Sequence, residues 1–202
     1  MKQASTRELF AYWTKQRGTR PAPERGDIDP AAIRHALGDI FILASDFVEE
    51  QRFRLAGTRL CALFGRELKG EAFSSLWAET SRAEFRNTLT GVVTENASLV
   101  AGVTGRNADG NSVDLELLLL PLAHKGHARV RAIGVLAAIE LPYWVGTQPI
   151  KQLVLGTVRH GDLRMEQTDK RPSMADPAEG QMRRGFMVYQ GGRINPPSEK
   201  AG

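Results

Sequence analysis

The 202-residue chain holds a single cysteine, Cys61, so it can form no internal disulfide. A small fold stapled by cystines is thereby excluded, and a reducing compartment is the natural setting. Its four histidines, His35, His124, His127 and His160, are scattered along the chain. His124 and His127 share a stretch with Lys125 and Gly126, which reads as an exposed turn rather than a metal cage. The longest apolar runs, 117–122 and 133–139, fall far short of the roughly 20 residues a helix needs to cross a bilayer. Residues Met1 to Glu8 carry no apolar segment of the secretory type. A cytoplasmic protein without a membrane role is expected. The chain also has no Gly-x-Ser-x-Gly elbow, no His-Glu-x-x-His pair and no Walker A loop. It therefore reads as non-enzymatic, with no catalytic residue and no metal site.

The formal net charge is +4. Up to Leu141 there are 18 Lys and Arg against 17 Asp and Glu, and from Pro142 onward 9 against 6. The basicity therefore sits mostly in the C-terminal part, where no basic run is interleaved with aromatics. A nucleic-acid-associated regulator using this basic tail is the alternative reading, and nucleic acid is not the expected partner.

Residues Ser5 to Gln16 have the pattern of an amphipathic helix, with Leu9, Phe10 and Trp13 on one side. Ser5 followed by Glu8 has capping-box spacing, and Gly18 supplies the stop. The aromatic stripe either packs on the domain or forms a dimer face. Asp29-Pro30 opens a second short helix, with Asp29 at the N-cap and Gly38 at the end. Asp27 and Asp29 look like paired carboxylates, but capping and turn formation account for them.

A strand is expected within Asp39 to Phe47, then an alternating strand from Arg52 to Gly57 with Phe53 and Leu55 opposite Arg52 and Arg54. A short helix follows from Arg59 to Phe64, stopped by Gly65. A longer one runs from about Arg82 to Thr94, with Ser81 and Glu84 as its capping pair. Strands at Ala97–Thr104, Ser112–Leu122 and Arg129–Leu141 complete the pattern, the first two joined by the turn Asn107 to Asn111. The fold class is α+β, an antiparallel sheet with helices gathered on one side. Three regions are expected: an N-terminal helix and linker at 1–26, a domain at 27–141, and a basic, largely irregular tail at 142–202. Within that tail, 153–155 suits a short strand or a turn of helix, and 186–189 is an apolar island.

The order of two strands, helices and three strands resembles the PAS fold, which has a five-stranded antiparallel sheet. The resemblance extends to particular blocks: Arg17 to Pro23, Asp27 to Pro30, Arg54 to Thr58, Cys61, Phe64 to Gly70 and Trp77. Together they are similar to a family of short stand-alone alphaproteobacterial PAS proteins, once grouped as a domain of unknown function, in which one member is a motility and cell-cycle regulator. The likeness covers about Thr6 to Leu141, with a weaker echo near Gly185 to Arg193.

This resemblance implies a sensory or regulatory protein that acts by protein–protein interaction, with a cavity between sheet and helices open to a small-molecule ligand. Arg54, Arg59 and Trp77 are the cavity candidates. Arg54 either enters the cavity, where it would pair an anion, or faces solvent in a salt bridge with Glu49, Glu50 or Glu67. Leu9, Phe10 and Trp13 are the interface candidates, for a homodimer or a signalling kinase. The cofactor stays unknown. Flavin photosensors of this fold carry Asn-Cys-Arg around their cysteine, whereas Cys61 lies in Arg59-Leu60-Cys61-Ala62. Haem sensors commonly use a histidine on the long helix, and Arg82 to Thr94 has none.

Overall fold

The computed structural model describes residues 1–45, 51–123, 130–161, 181–183 and 186–188. The histidines at 124 and 127 and residues 162–180 of the expected irregular tail lie outside them. The chain divides into two units, residues 1–163 and 164–202.

The first unit is built on one antiparallel sheet. Its strands are β1 (Ile40–Ser45), β2 (Arg52–Ala56), β3 (Ser98–Arg106), β4 (Ser112–Leu122), β5 (Val130–Ala138) and β6 (Gln152–Gly161). They lie side by side in the order β2-β1-β5-β4-β3-β6. The helices are α1 (Ala4–Arg17), α2 (Thr58–Phe64) and α3 (Glu79–Thr94), with short 3-10 turns at Arg25–Asp27, Pro30–Ile33 and Phe73–Leu76. The expected α+β class holds, with one strand more than expected. Residues 153–155, read as a short strand or a turn of helix within an irregular tail, belong to β6, which pairs along β3. The connection to it is also structural: Trp144 and Ile150 are buried with Leu153 in the core. In the second unit, β7 (Gln181–Arg183) and β8 (Phe186–Val188) pair antiparallel, so the apolar island at 186–188 is a strand. No helix among the described residues is long and apolar enough to cross a membrane.

Alternation along the strands gives the sheet two apolar faces. The inner face packs Leu99, Val103, Leu115, Leu117 and Leu119 under α2 and α3. The outer face packs Ile42, Leu118, Leu120, Ile133 and Val135 under α1 and the turns that follow it. At roughly 25 cal/mol per Å² of apolar surface, each face contributes substantially to holding its cover in place.

Local chemistry explains several boundaries. Asp29 does cap its turn, its Oδ1 accepting from Ala31 N at 2.9 Å, with Pro30 in the first position. That turn is 3-10 and ends by Ile33, short of the helix to Gly38 that the sequence suggests. Gly65 ends α2 in the left-handed region at φ 63°. The turn at 107–111 forms as read: Asn107 Oδ1 accepts from the amides of Asp109 and Asn111 at 3.0 and 2.9 Å. Gly57 precedes α2 at a close backbone approach, where a Cβ would stand 2.2 Å from Leu37 O and 2.3 Å from Gly38 O.

Two expected capping boxes are absent. Ser5 is buried inside α1, whose N-cap is Gln3. The amides of the N-cap and of the residue before it are instead held by Glu116 of β4, whose Oε2 accepts from Lys2 N at 2.6 Å and whose Oε1 accepts from Gln3 N at 2.9 Å. A carboxylate suits the positive end of a helix, and this one is only 6% exposed. Ser81 lies within α3 rather than before it, and its Oγ accepts from Leu155 N of β6 at 3.1 Å.

Candidate functional site

The space between sheet and helices is occupied by five rings. Phe41 comes from β1, Phe53 from β2, Phe73 from the 3-10 turn before α3, Trp77 from the α3 approach and Phe85 from α3. Phe73 is their hub, with ring centroids 5.1 Å from Phe41, 5.1 Å from Phe53, 5.9 Å from Trp77 and 4.9 Å from Phe85. Trp77 stacks on Phe85 at 3.9 Å and 16°. Edge-to-face and stacked pairs of this kind add about 0.5–1.5 kcal/mol each beyond the area they bury.

Trp77 brings the polar atom of this layer. It is 1% exposed, and its indole Nε1 has no acceptor among the described residues. An indole N–H left without an acceptor in an apolar layer costs about 1–3 kcal/mol, so it favours any group that brings an oxygen to it. Of the three cavity candidates, Trp77 alone lies in this layer.

Arg54 does not enter it. The guanidinium is exposed, on the side of β2 opposite Phe53. Simple alternation from Phe53 places it there. Arg54 is also the extra residue of a bulge, since Leu43 pairs with Phe53 and Ile42 with Leu55, and the bulge turns Leu55, expected on the side of Phe53, out to 42% exposure. Glu67, one of its possible ion-pair partners, instead accepts from the amides of Leu68 and Lys69 at 3.1 Å each. Arg59 is also on the surface, with its side chain 56% exposed. It grips Asp39 in a fork, Nε to Oδ1 at 2.7 Å and Nη2 to Oδ2 at 2.8 Å, and Nη2 also donates to His35 O at 2.8 Å. The hydrogen bond to Asp39 raises its already high pKa. Arg59 thus ties α2 to the segment leading into β1, at the rim of a surface groove of about 390 Å³ that also includes Ala62, Leu63, Ala138, Leu141 and Val145.

Cys61 is half-buried on α2, its Sγ near Glu67 Oε1 at 3.7 Å. Burial is the main cause pushing its thiol up, with the Glu67 carboxylate adding to it, so it stays a neutral thiol at neutral pH.

The interface candidates divide. Leu9 and Trp13 are fully buried against the outer face of the sheet, and Trp13 Nε1 donates to Pro121 O at 2.9 Å. Their apolar surface is spent within the chain. Phe10 is half-buried beside them. The sequence pointed to none of the residues that hold α1 in place from outside it. Glu116 showed only as a polar position in an alternating strand, and its distance in sequence from Gln3 hid the pairing.

The sequence profile of the PAS domain family matches residues 1–137. No match was found among curated proteins. Among solved structures, the chain is similar to the Rhodobacter sphaeroides LOV protein, at 16% identity and TM-score 0.41 over 50% of this chain and 58% of that one, less than two thirds of its length. It is similar to the blue-light photoreceptor Vivid at 15% identity and TM-score 0.43, over 64% of this chain and 94% of that one. The PAS domain of an HTR-like protein from Haloarcula marismortui matches at 18% identity and TM-score 0.38, over 54% of this chain and 90% of that one.

Proposed function

The chain belongs to the PAS domain family, and from that membership we propose that it is a non-enzymatic sensory regulator whose input is a small molecule bound in the aromatic layer. Trp77 carries this reading. Its indole N–H, buried among apolar rings with no acceptor among the described residues, is the polar group such a layer needs to orient a ligand. The fitting ligand is flat or compact, mostly apolar, with one hydrogen-bond acceptor. It must displace or reorder ring packing to enter, and it switches the protein only by binding one arrangement better than another.

Output passes through protein contacts. The partner is a second copy or a signalling kinase, met through the outer layer, where Phe10 is the half-buried member of the stripe. The protein works in the cytoplasm.

Native mass spectrometry of protein purified from its own host tests the input. A non-covalent mass on the chain is expected, with occupancy at least fivefold lower in Trp77→Phe, which keeps the ring packing and removes the donor. A bare chain mass under conditions that preserve weak complexes would sink the reading. Light scattering tests the output: a dimer is expected, weakened in Phe10→Glu, and a monomer at every concentration argues against self-association.

A further inference from the structure

Strand β6 is made of two unlike halves. Its first half is held from both sides. Leu153 is fully buried, its carbonyl accepts from Ala78 N at 2.8 Å, and Leu155 N donates to Ser81 Oγ at 3.1 Å. Just upstream, Ile150 N donates to Leu63 O and Lys151 N to Arg106 O, both at 2.8 Å. The second half has none of these ties among the described residues. Gly156, Thr157, Arg159 and His160 are exposed and Val158 is half-buried. Its pairing with β3 is backbone to backbone, plus Ser98 Oγ donating to Gly161 O at 3.4 Å.

The halves meet at a bulge. Leu155 pairs with Val103 and Val158 with Ala101, so Gly156 and Thr157 together face Gly102. A bulge breaks the ladder locally, and here glycines stand on both strands. The family match ends at residue 137, before β6 begins.

We propose that β6 is a strap with a fixed root and a releasable end. Residues 152–155 stay clamped between β3 and α3, while residues 158–161 peel from β3 about the Gly156–Thr157 bulge. Release bares the β3 edge from Ser98 to Ala101. A stretch held by few buried apolar contacts belongs to the low-stability end of a fold, and a stretch clamped into its core does not.

Hydrogen exchange of the full chain, read by mass spectrometry, tests this. The 157–161 amides are expected to exchange at least tenfold faster than those of 152–155. A single common rate for both halves overturns the proposal. Ser81→Ala should speed exchange in 152–155 severalfold, and no change there overturns the clamp. A staple provides the converse. A Cβ placed on Gly161 would stand 3.8 Å from Ser98 Cβ, within the span a disulfide needs. With Cys61→Ser, the pair Ser98→Cys and Gly161→Cys should oxidise within one chain. The oxidised form should slow 157–161 to the rate of 152–155, and reduction should restore the difference. Failure to cross-link within the chain, or an unchanged rate once cross-linked, counts against the releasable end.

Discussion

On its inner face the sheet meets five aromatic rings contributed by four separate stretches of chain, from Phe41 to Phe85, and closed below by Trp144, Ile150 and Leu153. On its outer face it meets one continuous stretch, residues 1 to 36, packing aliphatic side chains and Trp13 onto Ile42, Leu118, Leu120, Ile133 and Val135. The inner layer is woven through the sheet's own connections, so removing it means unmaking the sheet. The outer layer is laid on the face of the sheet, joined to it backbone to backbone where Ala123 N donates to Pro23 O at 2.8 Å. It is held by apolar contact and by side-chain ties from Glu116 to Lys2 and Gln3 and from Trp13 to Pro121, while Tyr12 braces it internally, its hydroxyl donating to Asp27 O at 3.0 Å and accepting from Asp29 N at 2.9 Å. Equal burial therefore need not mean equal cooperativity. The inner layer should fail with the whole unit and the outer layer on its own.

Phe73→Ala is the strongest challenge to this contrast. It deletes the hub of the ring cluster and should lower unfolding free energy by about 3–5 kcal/mol, with urea transitions by fluorescence and far-UV circular dichroism still coincident. Non-coincident curves would show that the inner layer is separable after all. Trp13→Ala should cost about 3 kcal/mol, at the lower end for a buried tryptophan. The loss should appear as faster hydrogen exchange in residues 4–17, while β4 and β5 keep their protection; equal acceleration in those strands would erase the distinction. Glu116→Gln keeps the shape but removes the charge facing the helix start. A loss of about 1–2 kcal/mol is expected, again centred on α1, and unchanged exchange there would mean apolar packing alone holds the helix.

The smallest effect concerns pH, on the inner side. The Arg66 fork to Glu71, 2.9 Å on both arms, fixes the loop whose Glu71 O and Gly70 N bind the backbone of Phe53. The hydrogen bond from Arg66 holds the Glu71 carboxyl below its ordinary range, overcoming the opposing effect of burial, and the charge of Arg66 adds to it. A lowered folded-state value means that the pair stabilises the fold above the unfolded-state value of about 4.3 and stops doing so as pH falls through the lower one. Arg66 is 43% exposed, so solvent screening limits the contribution to about 0–1 kcal/mol. Arg66→Gln should flatten that part of the stability profile below pH 5 in urea titrations, and a wild-type profile in the variant would remove the pair from the account.

What the sequence made legible was chemistry satisfied within a few residues. Asp29-Pro30, Gly65 and the Asn107 turn all act on neighbours in the chain, and each sits where expected. Ser5 and Ser81 had the same kind of local signature and were misleading, because tertiary packing drew both inside their helices and gave Ser81 a partner on β6. The hold of Glu116 on the chain just before α1 was invisible for the converse reason, since Lys2 and Gln3 lie more than a hundred residues away in sequence. Of strand β6 only 153–155 was legible, as a strand or a turn of helix, because Gly156, Arg159 and His160 interrupt the alternation that reveals a half-buried strand. Leu55, expected on the face of Phe53, is exposed because of a bulge at Arg54, and a single inserted residue reverses any face assigned by counting in twos. In the candidate site, Trp77 was found, but the convergence of Phe41, Phe53, Phe73 and Phe85 around it depends on four elements meeting in space.

Gly57 gives the two layers a common fulcrum. Its amide donates to Ile40 O at 2.8 Å, and Leu60 N donates to Gly38 O at 3.0 Å, so the end of the outer layer and the first turn of α2 touch backbone to backbone. With only hydrogen atoms filling the gap to Leu37 O and Gly38 O, the joint has no slack. A tilt of the segment from Pro30 to Gly38 reaches α2 through this backbone contact as well as through the Arg59 side chain. Any residue larger than glycine at this point would act as a wedge on both faces of the sheet at once.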